Sequence, residues 1–125
     1  MTPEEKARQE IDSLLVQAGW HVCDLKDADI YSHRGVAIRE FPLKACFGKA
    51  YYLLYLDVKA AGVIEAKKQG VPLSGVETQS SRYAQGLPDD LPAWSRPLQF
   101  LYESTGLVTQ FTNYLEAVPR ARNVF

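Results

Sequence analysis

The chain has 125 residues, of which 46% are hydrophobic and 23% charged, and 14 Lys and Arg against 15 Asp and Glu give a formal net charge of −1. This composition is typical of one globular domain with a sizeable core, and it excludes a disordered chain, a collagen and a coiled coil. The longest apolar run, residues 50–56, is far shorter than the roughly 20 residues of a membrane span. The charge gives no global signal for nucleic acid, and Cys23 and Cys46 lack CxxC spacing, which favours a reduced, cytoplasmic location.

The first predicted element is an amphipathic helix. Thr2 supplies an N-cap hydroxyl and Pro3 fits the first helical position, and acidic residues follow at the positive end of the helix dipole. Apolar residues then recur at helical spacing until Gly19, which predicts the end of the helix. These apolar residues are Ala7, Ile11, Leu14, Leu15 and Ala18.

Strands are predicted next, around a polar loop over residues 26–35. Residues 20–25 and 36–41 predict two short strands, and the Tyr- and Leu-rich residues 50–58 have the composition of a strand buried on both faces. A short turn over residues 59–62 then leads into a strand over residues 63–67. The connection is short enough for an antiparallel hairpin.

A second helix is predicted over residues 73–86, where Ser74 and Glu77 form a capping box. Residues 89–97 are rich in proline and predict a loop. Residues 99–104 and 107–112 predict two more strands, and the tail from Asn113 is expected to be irregular. This order predicts a mixed α/β fold with the two helices flanking a sheet and the hairpin at its centre.

Glu65 and Lys67 carry the first chemical signal. They stand two apart in a predicted strand, so their side chains emerge on the same face. An isolated E-x-K most often marks an edge strand with a solvated charged end. Its context here includes Gln79 and Tyr83, which lie one helical turn apart.

Further motifs accompany these residues along nearly the whole chain. They are Arg39-Glu40-Phe41, residues 48–57, Gly62-Val63-Ile64-Glu65-Ala66-Lys67, Leu73-Ser74-Gly75-Val76-Glu77, residues 79–83, Gly86-Leu87-Pro88, residues 100–106, Phe111-Thr112-Asn113 and Pro119-Arg120-Ala121-Arg122. Together they resemble the amino-terminal nuclease region of type I restriction enzyme R subunits, a branch of the PD-(D/E)XK nuclease superfamily. The resemblance implies an α/β, restriction-endonuclease-like fold for residues 1–125 as a single domain.

The resemblance also implies metal-dependent hydrolysis of DNA phosphodiesters. In that family an Asp and the Glu of E-x-K hold one or two Mg²⁺ ions, here Glu65 helped by the backbone carbonyl of Ala66. The metal activates water and polarises the phosphate, and Lys67 would orient the water and stabilise the charge at phosphorus. Gln79 and Tyr83 match the helix motif that positions the active site, although an ordinary half-buried helix face fits their spacing equally well.

A further acid is expected from the first helix. Glu10 borders the apolar stripe and is the residue chosen, with a solvated surface acid as the alternative, whereas Asp12 is expected to point away from the stripe. Arg39 and Glu40 match a family segment and are interpreted as a structural ion pair. His21 and His33 have no partner at ligand spacing and are interpreted as surface or structural residues.

The sequence departs from the family pattern at one position. The family has Gly-x-Ala-Asp-Tyr-Leu-Leu where this chain has Gly48-Lys49-Ala50-Tyr51-Tyr52-Leu53-Leu54, so Tyr51 takes the place of the metal-binding aspartate. A neutral phenol is a poor ligand for Mg²⁺. Asp57 is rejected as a substitute because it lies six residues on, about 20 Å along a strand. We therefore expect the chain neither to hold Mg²⁺ firmly nor to nick DNA.

Three alternatives remain open at this point: an R-subunit nuclease domain, a catalytically dead pseudo-nuclease kept for DNA binding or subunit docking, and an active enzyme in which Tyr51 is a chance or laboratory substitution. The expected partners are double-stranded DNA and the modification and specificity subunits, with phosphate contacts from Lys44, Lys49, Lys67 and Lys68. No phosphate-binding glycine loop is present, so ATP would serve only a helicase motor missing from these residues. The chain is expected to be an excised domain or a truncated product.

One geometric expectation tests the whole hypothesis. Glu65 and Lys67 should project from one face of the sheet toward Gln79 and Tyr83, and position 51 should lie beside Glu65 on that face.

Overall fold

The computed structural model describes residues 2–68, 70, 73, 82–113 and 122–124. Within these residues the chain forms one long helix, a short 3-10 helix and seven strands. In chain order they are α1 (Pro3–Gln17), β1 (His21–Asp24), the 3-10 helix (Leu25–Asp27), β2 (Gly35–Pro42), β3 (Lys49–Leu56), β4 (Lys59–Ala66), β5 (Phe100–Ser104), β6 (Thr109–Asn113) and β7 (Arg122–Val124). Residues 82–85 are also helical.

The seven strands form a single sheet whose spatial order follows the chain from β1 to β7. The β1–β2 and β4–β5 pairs are parallel, and the other four neighbouring pairs are antiparallel. The predicted mixed α/β fold is confirmed. The antiparallel hairpin of β3 and β4 lies near the middle of the sheet, as expected, so both strands are flanked by neighbours.

The first helix forms as predicted because its capping signals are satisfied. The Thr2 hydroxyl accepts a hydrogen bond from the Glu5 amide at 3.1 Å, and Pro3 occupies the first turn. The helix ends at Gln17, and Gly19 follows with a φ of +97°, a conformation that glycine adopts without strain.

The hairpin turn lies earlier in the chain than predicted. Asp57 and Val58 form a two-residue turn with φ values of 48° and 63°, and β4 begins at Lys59. A turn of this length with both central residues at positive φ matches the twist of an antiparallel pair. The expected turn over residues 59–62 is therefore wrong. Gly62 instead lies inside β4, where a Cβ would collide with the carbonyl oxygen of Phe100 in β5, so its role is close strand approach.

The C-terminal part of the chain also differs from expectation. Residues 122–124 form β7, which pairs with β6, so the prediction of an irregular tail is wrong for this segment. These residues form a strand because they pair with β6, and this pairing depends on their position in the tertiary structure. The predicted second helix is confirmed over residues 82–85, whereas its capping box at Ser74 and Glu77 lies outside the described residues.

Two apolar clusters pack on opposite faces of the sheet. The cluster on the side of α1, called the helix face, contains Ile11, Leu15, Ala37, Tyr52, Leu54, Ile64 and Ala66. The cluster on the far face contains Cys23, Val36, Ile38, Phe41, Ala50, Leu53, Tyr55, Ala60, Val63, Ala84, Leu87, Leu98 and Leu101. A helix that could span a membrane is not found in the described part of the chain.

Candidate nuclease site

Glu65 and Lys67 lie at the carboxyl end of the central strand β4 and form an ion pair. The Lys67 ammonium nitrogen is 3.4 Å from Oε1 of Glu65, whose side chain is fully buried, while Lys67 keeps 30% exposure. Ile64 and Ala66 pack on the helix face, so alternation along the strand places Glu65 on the far face with Val63. The alternative of an edge strand with solvated charges is therefore wrong for Glu65.

A second buried carboxylate, which the sequence analysis did not assign a role, neighbours this pair. Glu103 in β5 is the direct partner of Glu65 in the parallel β4–β5 register, and both side chains are fully buried. The register continues beyond the strand end, because the Lys67 amide donates to the carbonyl oxygen of Ser104 at 2.9 Å. The sequence signal for Glu103 was an acid between the apolar Leu101 and the hydroxyl residue Ser104. This signal is too weak to predict a role for Glu103 unless the pairing of β4 with β5 is known.

Tyr83 lies on the same side of the sheet as Glu65. It belongs to the helical residues 82–85, and its ring packs against the far-face cluster, to which the adjacent Ala84 belongs. This agrees with the expectation that the E-x-K strand projects toward this helix. Gln79, the other residue of the helix motif, lies outside the described residues.

Tyr51 occupies the expected strand position, but its ring lies on the wrong face. Tyr52 pairs with Ile64, so extending the register by one places Tyr51 opposite Glu65. The ring packs with the helix-face cluster, and the Arg8 guanidinium lies 5.3 Å from its centroid. The expectation that position 51 projects beside Glu65 is therefore wrong for this side chain.

A local irregularity accompanies this placement. Glu40, which would face Tyr51 across β2 and β3, has a φ of 51° and is skipped in the register between Arg39–Tyr52 and Phe41–Ala50. The Glu40 carboxylate accepts a hydrogen bond from Arg8 at 2.7 Å. Arg8 thus draws both Glu40 and the Tyr51 ring toward α1 through an ion pair and a cation–π contact.

Glu10 turns inward from α1, as expected. Its Oε2 lies 2.9 Å from the point that a Cβ on Gly106 would occupy, so the carboxylate sits against the β5–β6 turn. The apolar residues of α1 cover the helix face, whereas Glu65 belongs to the far face. The described geometry thus places Glu10 and Glu65 on different sides of the sheet.

Asp12, expected to point away from the core, instead anchors a polar network. Two nitrogens of Arg39 donate to its Oδ2 at 3.2 and 2.9 Å, and the Tyr52 hydroxyl donates to its Oδ1 at 2.6 Å. A third Arg39 nitrogen donates to Asp24 at 3.1 Å. Burial, and next the bond to Asp12, raise the pKa of the Tyr52 hydroxyl well above its ordinary range. The expectation about Asp12 is wrong, and Arg39 and Glu40 both make ion pairs but not with each other.

The other candidate residues are lysines and histidines. Lys44 is paired with Asp89 at 3.2 Å, whereas Lys49 and Lys68 are exposed to solvent. The rings of His21 and His33 stack at 4.1 Å between centroids. No group of three or more His, Cys, Asp or Glu that could hold a metal ion occurs among the described residues.

An apolar groove of about 420 Å³ runs along the helix face between α1 and the strands. Leu14, Leu107 and Val124 form its rim, and Glu65 and Lys67 do not line it. The residues that line the groove are mostly apolar, and almost none of them has a titratable side chain. The E-x-K end of β4 is therefore the better candidate for a catalytic site.

Part of the chain matches a known protein family. Residues 25–106, about two thirds of the chain, match the family model described as the type I restriction enzyme EcoKI endonuclease subunit second domain. The matched range contains β4, β5 and the helical residues 82–85. The chain has no significant match among curated proteins or solved structures.

Proposed function

Since the chain belongs to the family of the type I restriction enzyme EcoKI endonuclease subunit second domain, we propose that it is a DNA-cleavage domain of the PD-(D/E)XK type with a restriction-endonuclease-like fold. Its reaction would be metal-dependent hydrolysis of phosphodiester bonds. The observation that carries this proposal is the buried Glu65 carboxylate, 3.4 Å from the Lys67 ammonium, at the end of a central strand. Double-stranded DNA is the substrate, within a restriction complex that includes modification and specificity subunits.

The donor set at this strand end suits Mg²⁺. The Glu65 carboxylate and the backbone carbonyl of Ala66 are hard oxygen ligands of the kind that Mg²⁺ prefers. When bound, the ion would polarise the phosphate and lower the pKa of the attacking water. Lys67 is flexible, partly exposed and held next to Glu65, so its ammonium would orient water and stabilise negative charge at phosphorus.

The surrounding residues have supporting roles in this proposal. Tyr83 and, by the family motif, Gln79 would position the active-site side chains, whereas Glu10 lies on the other side of the sheet from Glu65 and is not part of this site. Lys44, Lys49 and Lys68 contact phosphates without reading bases, because ammonium groups bind the backbone as point charges. Sequence recognition then belongs to the specificity subunit.

A second candidate function is favoured by Tyr51. A phenol is a poor ligand for a hard divalent ion, and the ring is engaged by Arg8 on the helix face. The chain would then be a pseudo-nuclease that binds DNA or docks other subunits without cutting.

A plasmid-nicking assay with Mg²⁺ separates the two functions. We expect no nicking by the unmodified chain, nicking by Tyr51→Asp, and loss of nicking in Tyr51→Asp/Lys67→Ala. Lys26→Ala in the Tyr51→Asp background is the matched control, because Lys26 is an exposed lysine on the 3-10 helix.

Each outcome of the nicking assay would contradict or favour one part of these proposals. Nicking by the unmodified chain that depends on Lys67 would contradict the role given to Tyr51. A Tyr51→Asp variant that binds plasmid but never cuts it, alone or with its partner subunits, would favour the pseudo-nuclease. Nicking that survives Lys67→Ala would exclude the E-x-K strand as the site.

A further inference from the structure

We propose that Glu103 is the second carboxylate of the ion site at Glu65, holding the ion without replacing the donor for cleavage that position 51 lacks. This inference rests on the proposed metal-dependent function and adds a residue to the site.

Strand register brings the two carboxylates together. Glu65 and Glu103 are direct partners in a parallel pair of strands, so their side chains project from the same face. Neighbouring strands lie about 4.8 Å apart, which places the ends of two glutamate side chains within reach of one ion. Both side chains are fully buried, which fixes them in the same layer beneath the surface.

The charge and chemistry of this arrangement fit a divalent cation. Two carboxylates at strand spacing repel each other when both are ionised, and a shared divalent ion converts that repulsion into attraction. Lys67 contributes one positive charge on the Glu65 side at 3.4 Å. The backbone holds this geometry, because the Lys67 amide bonds to the Ser104 carbonyl directly after Glu103.

This placement revises the expectation of a site with one carboxylate. That expectation considered only position 51 on β3 and Glu65 on β4 as ion ligands. The other neighbour of β4 in the sheet is β5, which supplies Glu103. With the Tyr51 ring on the helix face, the acid nearest to Glu65 by register comes from β5. The unmodified chain is thus expected to bind a divalent ion while still lacking the donor that cleavage needs.

Mn²⁺ titration tests the inference without relying on activity. Calorimetry and the electron paramagnetic resonance signal of free Mn²⁺ would report the Kd of the unmodified chain, Glu103→Gln and Asp27→Asn. We expect one ion per chain, a Kd raised at least tenfold by Glu103→Gln, and no change with Asp27→Asn, which removes an exposed carboxylate from the 3-10 helix.

Circular dichroism and thermal unfolding would establish that Glu103→Gln is folded. Should it fail to fold, Glu103→Asp decides, because it withdraws the carboxylate by one methylene and should raise the Kd at least threefold. Unchanged Mn²⁺ affinity in the folded variant, or no Mn²⁺ binding by the unmodified chain, would overturn the inference.

The nicking assay keeps this inference separate from the proposed function. Suppose that Tyr51→Asp cuts DNA only when Lys67 is present, and that adding Glu103→Gln to this variant leaves the Kd for Mn²⁺ unchanged. The proposed nuclease function would then be supported, and Glu103 would not belong to its site. Mn²⁺ binding that depends on Glu103, without cutting by any variant, would support the ion site and contradict the nuclease.

Discussion

The two faces of the sheet differ in how their acidic and basic side chains are arranged. On the helix face, Asp12, Arg39 and Asp24 form a half-exposed network in which opposite charges alternate and hydrogen bonds join them. At the end of β4 on the far face, two fully buried carboxylates lie in adjacent strands beside one lysine.

The difference indicates what each region does. A network of alternating charges satisfies its own members and fixes α1 on the sheet, which is a structural task. Two carboxylates in one buried layer form a cluster of the kind that occurs where a protein binds ions or carries out chemistry. If stability and function divide between the two faces in this way, a substitution on one face should change one of them and leave the other unchanged.

The largest expected effect is on the helix face. Arg39→Met removes the hydrogen bonds to Asp12 and Asp24 and leaves both carboxylates without this cation, so we expect the free energy of unfolding to fall by about 3 kcal/mol. Urea unfolding would measure the change, and Mn²⁺ affinity should stay the same.

Arg34→Met is the control, because Arg34 makes a largely exposed pair with Asp57 at 3.2 Å. Its loss should be below about 1 kcal/mol. Equal effects of the two substitutions, or a loss of Mn²⁺ binding with Arg39→Met, would contradict the division between the faces.

A smaller effect is expected for Tyr52→Phe. The substitution removes the hydroxyl that donates to Asp12 at 2.6 Å and keeps the buried ring. We expect a loss of about 1 to 2 kcal/mol in urea unfolding at neutral pH. A loss below about 0.3 kcal/mol would indicate that Arg39 alone holds Asp12.

Tyr52→Phe should also change the dependence of stability on pH at high pH. Burial raises the pKa of Tyr52, Tyr55 and Tyr102 above the ordinary value near 10. Above pH 10 the unfolded chain releases these protons while the folded chain keeps them, so stability falls as pH rises toward the folded pKa values. A tyrosine whose folded pKa lies well above this range contributes a slope that approaches about 1.4 kcal/mol per pH unit, and Tyr52→Phe should remove the contribution of Tyr52. Urea unfolding from pH 9 to 11 would measure it, and an unchanged slope would contradict the assignment.

The smallest effect concerns DNA. With a net charge of −1, the isolated chain should bind duplex DNA weakly and with strong salt dependence. Lys49→Ala should weaken binding about two- to threefold and lower the salt slope by about one unit, whereas Lys26→Ala should change neither. Fluorescence titration at several salt concentrations would measure both, and tight binding that ignores salt would indicate base readout instead.

Local patterns predicted much of the fold. The cap at Thr2, the helical spacing of Ile11 and Leu15 and the strand composition around Leu53 all act over a few residues, so the sequence alone locates α1 and β3. The turn at Asp57 and Val58 was missed because non-glycine residues rarely adopt positive φ, and only the twist of the paired strands favours it.

For the candidate site, the alternation of side chains along a strand is enough to predict that Glu65 and Lys67 share a face, and the sequence shows a phenol at position 51 where the family has a carboxylate. Which residues stand next to them depends on the tertiary fold. The β4–β5 register brings Glu103 to Glu65 from 38 residues away, and Arg8 holds the Tyr51 ring on the helix face. Both outcomes depend on contacts between distant parts of the chain, which no local spacing encodes.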